Sequence, residues 1–300
     1  MCVAGLLMKR SHLLLLIVLN FFWAGSYSAF KALAPQLDAG GVSTLRFGLA
    51  TVFLLLAWKW LPGDAPRQRD LVKTAIMGIV VFVLAPRLQV AGVQRGQAGD
   101  AAVLMGLEPL VTSVAAAIFL REYIGPRRWI GFSLGLSGVL FMAQIWRPGF
   151  QWPSLQANSL FVASFVCEAT YSIMGKPLIK RAGLAKVLAL ALASGTVVNL
   201  LLDGQTSLQA AVDLPPYAWL LLLYLTVICT LAGYIVWFVV IRETEVNVTA
   251  LTVFLQPVVG VIIATLALGE SLHLGQLWGA LAILTGLVFA LSRQIRRPSR

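Results

Sequence analysis

The chain has 300 residues, of which 59% are hydrophobic and only 12% are charged, whereas about a quarter of the residues in soluble domains are charged. The apolar residues fall into blocks of about twenty, the length of helix that crosses a hydrocarbon core. This composition excludes a soluble globular protein, because the short separators leave almost no chain for a soluble domain.

In chain order, the apolar blocks predict ten transmembrane helices and an all-α integral membrane protein. The predicted spans cover residues 13–34, 42–61, 72–93, 98–119, 127–146, 157–177, 184–202, 217–241, 247–268 and 273–292.

The distribution of lysine and arginine predicts the orientation of these spans. If the N-terminus is cytoplasmic, 18 of the 23 basic residues lie on the inside, and the outside half keeps only Lys31, Arg46, Arg87, Arg95 and Arg147. This split matches the positive-inside bias of membrane proteins. We therefore expect both termini in the cytoplasm, with the protein in the cell membrane. The formal charge of +11 is explained by the basic residues on the cytoplasmic side, so it implies no nucleic-acid partner.

An internal repeat relates the two halves of the chain. Residues 106–142 align without gaps to residues 254–290, at an offset of 148 positions. Apolar composition alone explains matches of leucine and valine, but it does not readily produce proline, glutamate and two glycines at one constant offset. These identical pairs are Pro109/Pro257, Glu122/Glu270, Gly131/Gly279 and Gly138/Gly286.

The repeat predicts two domains, residues 1–150 and 151–300, of five spans each. Because five is an odd number, the second copy should enter the membrane from the opposite side, and Glu122 and Glu270 should lie on opposite faces. Inverted repeats of this kind provide two states that face opposite sides, with a binding site near the midplane between the copies.

Each half carries a proline, then a glutamate after 12 intervening residues, a glycine after 8 more and a second glycine after 6 more. With ten spans in two halves, this pattern resembles the EamA family of the drug/metabolite transporter superfamily. The resemblance covers nearly the whole chain and is strongest in residues 98–146 and 247–292. Members are mainly exporters or exchangers of amino acids, metabolites, nucleotide sugars or drugs, so the resemblance implies a secondary transporter but names no substrate.

Two glutamates lie near the centres of predicted spans, Glu108 in the fourth and Glu168 in the sixth. A charge at mid-membrane costs roughly 2.5–3.5 kcal/mol even on the mildest scale, so such residues are functional candidates. They could bind a substrate ammonium group, exchange protons, or form structural ion pairs with Arg87 or Arg46. A glutamate kept neutral by burial is a further alternative, because desolvation disfavours the charged form.

Two equivalent prolines, Pro109 and Pro257, each remove one hydrogen bond from a predicted helix. Irregular backbone at this depth persists only where protein or a watered cavity satisfies it. We expect both prolines to kink helices that line a central cavity, and the alternative is a packing kink without ligand contact. Gln256 occupies the position equivalent to Glu108, so one copy carries an amide where the other carries a carboxylate.

Polar and aromatic residues at helical spacing form two stripes in the first and sixth spans. At an offset of 144, Asn20 matches Ser164 and Tyr27 matches Tyr171. We expect the stripes to form facing walls of the cavity, with Tyr234 and Trp237 of the eighth span as weaker members. The alternative explanation for these aromatic residues is that Tyr and Trp are enriched at membrane interfaces. The stripe residues are Asn20, Trp23, Tyr27 and Lys31 in the first span, and Ser164, Glu168, Tyr171 and Gly175 in the sixth.

Three further features have structural interpretations. Two pairs of glycines are four residues apart, Gly131 with Gly135 and Gly275 with Gly279. Such pairs allow close helix packing, within the chain or in a homodimer. Glu122 and Glu270 follow spans at the membrane edges, where helix capping or loop anchoring is expected. The three cysteines lack the spacing of a metal site, so we expect neither a metal nor a cofactor.

The sequence does not favour an enzyme. "GFSLG" at residues 131–135 fits the nucleophile-elbow pattern but lies in an apolar helix, and the two histidines lie at membrane edges. We predict a secondary transporter that exports a small organic metabolite such as an amino acid. Protons are a further candidate ligand. The alternatives are a membrane scaffold that does not transport and a passive channel.

Overall fold

The computed structural model describes residues 8–89, 106–148, 155–268 and 274–292, and these residues form α-helices joined by short connections. The helices of the first half are α1 Arg10–Leu33, α2 Ala39–Leu56, α3 Gln68–Ile79, α4 Glu108–Phe119 and α5 Pro126–Ala143. Those of the second half are α6 Leu155–Ile179, α7 Leu184–Val212, α8 Pro216–Leu223, α9 Gly233–Glu243, α10 Val246–Leu251, α11 Leu255–Leu268 and α12 Leu274–Leu291.

Several helices are continued or joined by irregular helical turns. A π-helical segment, Val80–Leu84, follows α3, and a longer one, Tyr224–Ala232, joins α8 to α9. A 3-10 turn, Thr252–Phe254, joins α10 to α11. The backbone thus stays helical while its hydrogen-bond register changes, which avoids the cost of unsatisfied polar groups in a membrane.

Seven helical runs among the described residues are long and apolar enough to cross a membrane. Their outer surfaces are apolar, with side chains such as Leu201 and Val212 more than 80% exposed. These runs agree with the first three and the last four predicted spans, while the count of ten remains a prediction. They are Arg10–Phe30, Ala39–Leu56, Gln68–Gln89, Leu184–Val212, Pro216–Glu243, Val246–Ile263 and Leu274–Leu291.

Local sequence signals account for the helix ends. The Asp38 carboxylate caps α2 by accepting a hydrogen bond from the Gly41 amide at 2.7 Å. Proline stands in the first turn of α4, α5 and α8, where its missing N–H has no helical partner to lose. Helix α5 ends where Gln144 adopts the left-handed conformation, with φ of 53°.

The described helices pack into two compact units, each built from both halves of the sequence. Unit A holds the residues up to Gly25, from Gly106 to Phe165 and from Glu243 onward. Unit B holds Ser26 to Gln89 and Val166 to Arg242. The predicted domains, residues 1–150 and 151–300, are the two copies of the sequence repeat and differ from these two units. That division remains a prediction.

The core of unit A is a glycine seam between α5 and α12. A Cβ atom added at Gly138 would lie 2.6 Å from the Gly279 carbonyl oxygen, and one at Gly279 would lie 2.4 Å from the Gly138 oxygen. Gly131 and Gly286 meet in the same way farther along, so the helices are antiparallel with their backbones in direct contact. Residues 126 and 143, which bound α5, lie 148 positions before residues 274 and 291, which bound α12.

The core of unit B is built around α2 and α7, which also pack as an antiparallel pair. The Thr51 and Thr196 hydroxyl groups share a hydrogen bond of 2.8 Å near the middle of the pair. Toward one end, Gly40 packs against the Asp203 carboxylate, and toward the other, Lys186 lies 5.5 Å from the centre of the Trp58 ring.

The glycine seam predicts a specific sensitivity to one added methyl group. We expect Gly138→Ala to lower the free energy of unfolding by about 1–3 kcal/mol, because its Cβ would overlap a backbone carbonyl that cannot rotate away. Gly260→Ala is the matched control, since a Cβ there meets nothing within 4 Å. Thermal unfolding of the purified variants in detergent measures both, and equal melting temperatures would contradict the seam.

Candidate functional site

Glu108 and Pro109 lie at the beginning of α4. Glu108 is the first residue of the helix and is half-buried, and Pro109 lies in the first turn after the Gly106–Leu107 turn. Pro109 therefore costs α4 no internal hydrogen bond, unlike a proline in the middle of a continuous helix. The part of the predicted span at 98–105 lies outside the described residues.

The equivalent part of the second copy has a similar backbone. Pro257 and Gln256 lie in the first turn of α11, directly after the 3-10 turn Thr252–Phe254. The buried Gln256 amide donates a hydrogen bond of 3.0 Å to Asn20 Oδ1. Pro257 thus follows a 3-10 interruption and Pro109 follows a turn, each in the first turn of a helix, while the predicted kink and cavity remain proposals.

Asn20 is fully buried at the centre of a polar cluster in unit A. Its Nδ2 donates to the Leu16 carbonyl at 2.8 Å and to Thr252 Oγ1 at 3.1 Å, while its Oδ1 accepts from Gln256. The cluster ties α1 to the break before α11. Trp23 is half-buried in the same unit, and the Tyr27 and Lys31 side chains lie outside the described residues.

Glu122 is an anchor, as the sequence predicted. Its carboxylate accepts hydrogen bonds from the Val246 amide at 2.9 Å, from the Asn247 amide at 3.1 Å and from Asn247 Nδ2 at 2.9 Å. The buried Arg128 completes the network by pairing with Glu245 at 2.5 Å. This network holds the loop before α5 to the start of α10. Glu270 lies outside the described residues.

An aromatic cluster forms the interior of unit B. Tyr171 stacks on Phe238 with ring centres 4.1 Å apart, and its hydroxyl donates to the Tyr234 carbonyl at 3.0 Å. Phe82 lies edge-on to Tyr234, with ring centres 5.2 Å apart. Nearby, Trp237 Nε1 donates to Ser172 Oγ at 2.9 Å. The structure therefore brings together the three aromatic residues predicted from the sixth and eighth spans.

Arg46 projects from α2 toward the π-helical segment before α9. Its Nε donates to Thr230 Oγ1 at 2.6 Å, and its guanidinium carbon lies 5.1 Å from the centre of the Phe47 ring. Glu168 is half-buried on α6, three residues before Tyr171, and belongs to the same unit as Arg46. Unit B thus contains Arg46 and Glu168 and also Arg87, three of the ionisable residues predicted for the site.

The partner of Arg87 is a residue that the sequence analysis did not single out. Arg87 forms an ion pair with Asp203 and donates a hydrogen bond of 3.2 Å to Asn199 Oδ1. The carboxylates considered from the sequence were Glu108, which belongs to unit A, and Glu168, which belongs to unit B together with Arg87. Asp203 was missed because the apolar block ends at 202, although α7 continues to Val212.

The predicted site residues fall into two groups. Asn20, Trp23, Glu108, Pro109, Gln256 and Pro257 belong to unit A. Tyr27, Arg46, Arg87, Glu168, Tyr171, Tyr234 and Trp237 belong to unit B.

Comparison with known proteins identifies the relatives of the chain. A model of the EamA-like transporter family matches residues 10–144 and 155–292. An uncharacterized transporter of Archaeoglobus fulgidus is 23% identical over 95% of this chain and 99% of its own. A probable terminal-alkyne amino-acid exporter of Streptantibioticus cattleyicolor is 26% identical over 88% of each chain. A probable amino-acid metabolite efflux pump of Escherichia coli is 28% identical over 63% of this chain and 66% of its own.

The fold also matches a solved crystal structure. That structure is similar over 95% of this chain and 98% of its own, with a TM-score of 0.76 and 15% sequence identity. At this identity the match concerns the fold alone.

The ion pair between Arg87 and Asp203 predicts energetic coupling. We expect Arg87→Leu and Asp203→Leu each to lower the free energy of unfolding by about 1–3 kcal/mol, because each leaves one charge without its partner. The double variant should lose less than the sum of the two by about 1 kcal/mol or more.

Thermal unfolding of the purified variants in detergent measures this cycle. Lys9→Leu is the control, because Lys9 pairs with Glu243 at 2.6 Å and both side chains are about half exposed, a geometry that contributes at most about 1 kcal/mol. Strictly additive losses at Arg87 and Asp203 would show that the two residues are not coupled.

Proposed function

Because the chain belongs to the EamA-like transporter family and is a multi-pass membrane protein, we propose that it exports a small organic metabolite such as an amino acid. The observation that carries this proposal is the match of the family model to both halves of the chain. The relatives named as an amino-acid exporter and an amino-acid metabolite efflux pump support the choice of substrate class. No step of this proposal needs a cofactor or makes the chain an enzyme.

We propose that transport proceeds by alternating access around a central cavity. Two inverted repeats of five spans would supply the two conformations, one open to each side. Equivalent helices α5 and α12 pack antiparallel, which is the relation that an inverted repeat requires. The separate family matches at 10–144 and 155–292 support repeats at residues 1–150 and 151–300.

In this proposal the residues of the predicted site have different roles. Glu108 and Glu168 supply the charge contact with the substrate or the site for a coupled proton. Asn20 and Gln256 supply neutral hydrogen-bonding groups, and Pro109 and Pro257 stand beside the helix breaks. The aromatic walls are formed by Trp23, Tyr27, Tyr171, Tyr234 and Trp237.

Substitution of Glu108 gives a direct test of its part in transport. Glu108 is half-buried at a helix beginning, where the corresponding residue of the second copy is an amide already bonded to Asn20. We expect Glu108→Gln to reduce transport at least about tenfold while the protein still inserts, because it removes the charge but keeps the shape of the side chain. Wild-type flux in this variant across the pH range would remove Glu108 from the mechanism.

Proteoliposomes loaded with a mixture of labelled neutral L-amino acids measure this flux. Glu122→Gln is the control, because Glu122 anchors α10 and should affect thermal stability rather than flux per folded molecule. Saturable efflux that is accelerated by amino acid on the other side supports a carrier. Flux that rises linearly with concentration indicates a channel. The absence of flux in this assay and in a metabolite screen of cells with and without the protein indicates a scaffold.

We also propose that both termini are cytoplasmic and that the two copies have opposite orientations in the cell membrane. Tyr123 and Ser271 are equivalent positions next to Glu122 and Glu270, and Tyr123 is 75% exposed. In a cysteine-free background, Tyr123→Cys and Ser271→Cys should react with an impermeant thiol reagent from opposite sides of the membrane. Equal labelling of both from one side would contradict the inverted repeat.

A further inference from the structure

Arg46 carries a permanent charge within a helix that is long and apolar enough to cross a membrane. A guanidinium group remains protonated in proteins, so it cannot become neutral as a buried carboxylate can. Its side chain is only half-buried within the protein. A permanent charge at this depth is costly and is a functional candidate by default.

Within the part of the chain that the structure describes, the hydrogen bond of Arg46 engages Nε and leaves the two terminal nitrogens of the guanidinium for a ligand. Nε donates to Thr230 Oγ1 at 2.6 Å, and the guanidinium carbon lies 5.6 Å from the Phe30 ring centre and 5.1 Å from that of Phe47. The two terminal nitrogens carry the other four N–H donors of the group. Their planar fork matches the two oxygens of a carboxylate.

The backbone around Arg46 is held by the π-helical segment Tyr224–Ala232. Thr226 donates a hydrogen bond of 3.3 Å to the Arg46 carbonyl oxygen, and Thr230 Oγ1, which accepts from Arg46, donates to the Leu225 carbonyl at 2.8 Å. Insertions of this kind in α-helices occur frequently at functional sites. The segment therefore positions both the backbone and the side chain of Arg46.

The surroundings of Arg46 supply the two other features that an amphipathic zwitterion needs. Glu168 lies three residues before Tyr171 on α6, so the two share one face of that helix, and Tyr171 belongs to the aromatic cluster. Phe47, which follows Arg46 on α2, has its ring centre 4.9 Å from that of Phe82, another member of the cluster. A basic group and an acidic group thus each lie next to a residue that contacts or belongs to one aromatic cluster, all within unit B.

The repeat itself does not require an arginine at this position. At the offsets of 144 and 148 positions that the two copies show, the counterparts of Arg46 are Leu190 and Ser194. Neither is charged, so Arg46 is specific to the first copy, as Glu108 is.

We propose that Arg46 binds the carboxylate of a zwitterionic α-amino acid and that Glu168 binds its ammonium group. The inference rests on the proposed transport function and narrows its substrates to molecules that carry both groups. The carboxylate and ammonium of an α-amino acid are adjacent charges of opposite sign, which the arginine and glutamate complement. Phe47 and the cluster behind it form the apolar boundary for the side chain of the substrate.

Competition in proteoliposomes tests this assignment. The measured quantity is flux of the labelled mixture of neutral L-amino acids, with L-leucine, isopentylamine or 4-methylpentanoate as competitor. The amine lacks only the carboxylate of leucine, and the acid lacks only the ammonium group. In the wild type we expect leucine to inhibit at a concentration about tenfold or more below that of either analogue, since each analogue leaves one charge unpaired.

The variants should shift this preference in opposite ways. In Arg46→Gln the advantage of leucine over isopentylamine should fall close to onefold, while its advantage over 4-methylpentanoate persists. Glu168→Gln should show the reverse. Arg46→Lys should recover only part of the preference, because an ammonium group lacks the planar fork. Arg181→Gln, an exposed cation in the same unit, is the control and should match the wild type.

The outcomes separate this inference from the function on which it rests. If the wild type moves none of the amino acids, the proposed amino-acid export fails and the inference fails with it. If the wild type moves them but leucine inhibits no better than its analogues, or Arg46→Gln keeps the wild-type preference, only the inference is wrong. Should Arg46→Gln not fold, a wild-type preference in Arg46→Lys would overturn the assignment equally.

Discussion

The requirement that every backbone polar group be satisfied inside the bilayer governs the rest of this structure. The described chain meets it by remaining helical and by changing hydrogen-bond register where polar side chains are needed. The π-helical segment before α9 presents Thr230 to Arg46, and the 3-10 turn before α11 presents Thr252 to Asn20. In both places a polar side chain forms a hydrogen bond within an otherwise apolar protein where the regular α-helix is interrupted. A threonine hydroxyl group is the acceptor in each bond.

Much of the architecture could be predicted from the sequence because it depends on periodic and local signals. The repeat offset of 148 positions predicts that α5 and α12 have matching bounds, as they do. The position of Glu122 at the end of a span predicts its role as an anchor. Long-range polar pairs could not be predicted, since nothing local links Asn20 to Gln256 or Arg87 to Asp203. The π-helical segments could not be predicted either, because a run of apolar residues reads the same whether it forms an α-helix or the wider turns of a π-helix.

Differences between the copies are informative because the fold is common to both. Pro109 and Pro257 each lie in the first turn of a helix, whereas the counterpart of Glu108 is the amide Gln256, and Arg46 has no charged counterpart at the offset of 144 or 148 positions. The Gln256 amide is bonded to Asn20, so the second copy uses this position for packing. The charged residues of the proposed site thus come from both copies, Arg46 and Glu108 from the first and Glu168 from the second, and none of them has a charged counterpart at the repeat offsets.

The glycine seam has a consequence for how the two copies can diverge. Gly131 meets Gly286 while Gly279, the counterpart of Gly131, meets Gly138, the counterpart of Gly286. This reciprocity is that of an isologous interface, the kind found between identical subunits of a C2 dimer, here enclosed in a single polypeptide. Any side chain gained on one helix must be matched by space on the other, so the seam constrains the two copies to evolve together while the rest of each copy specialises.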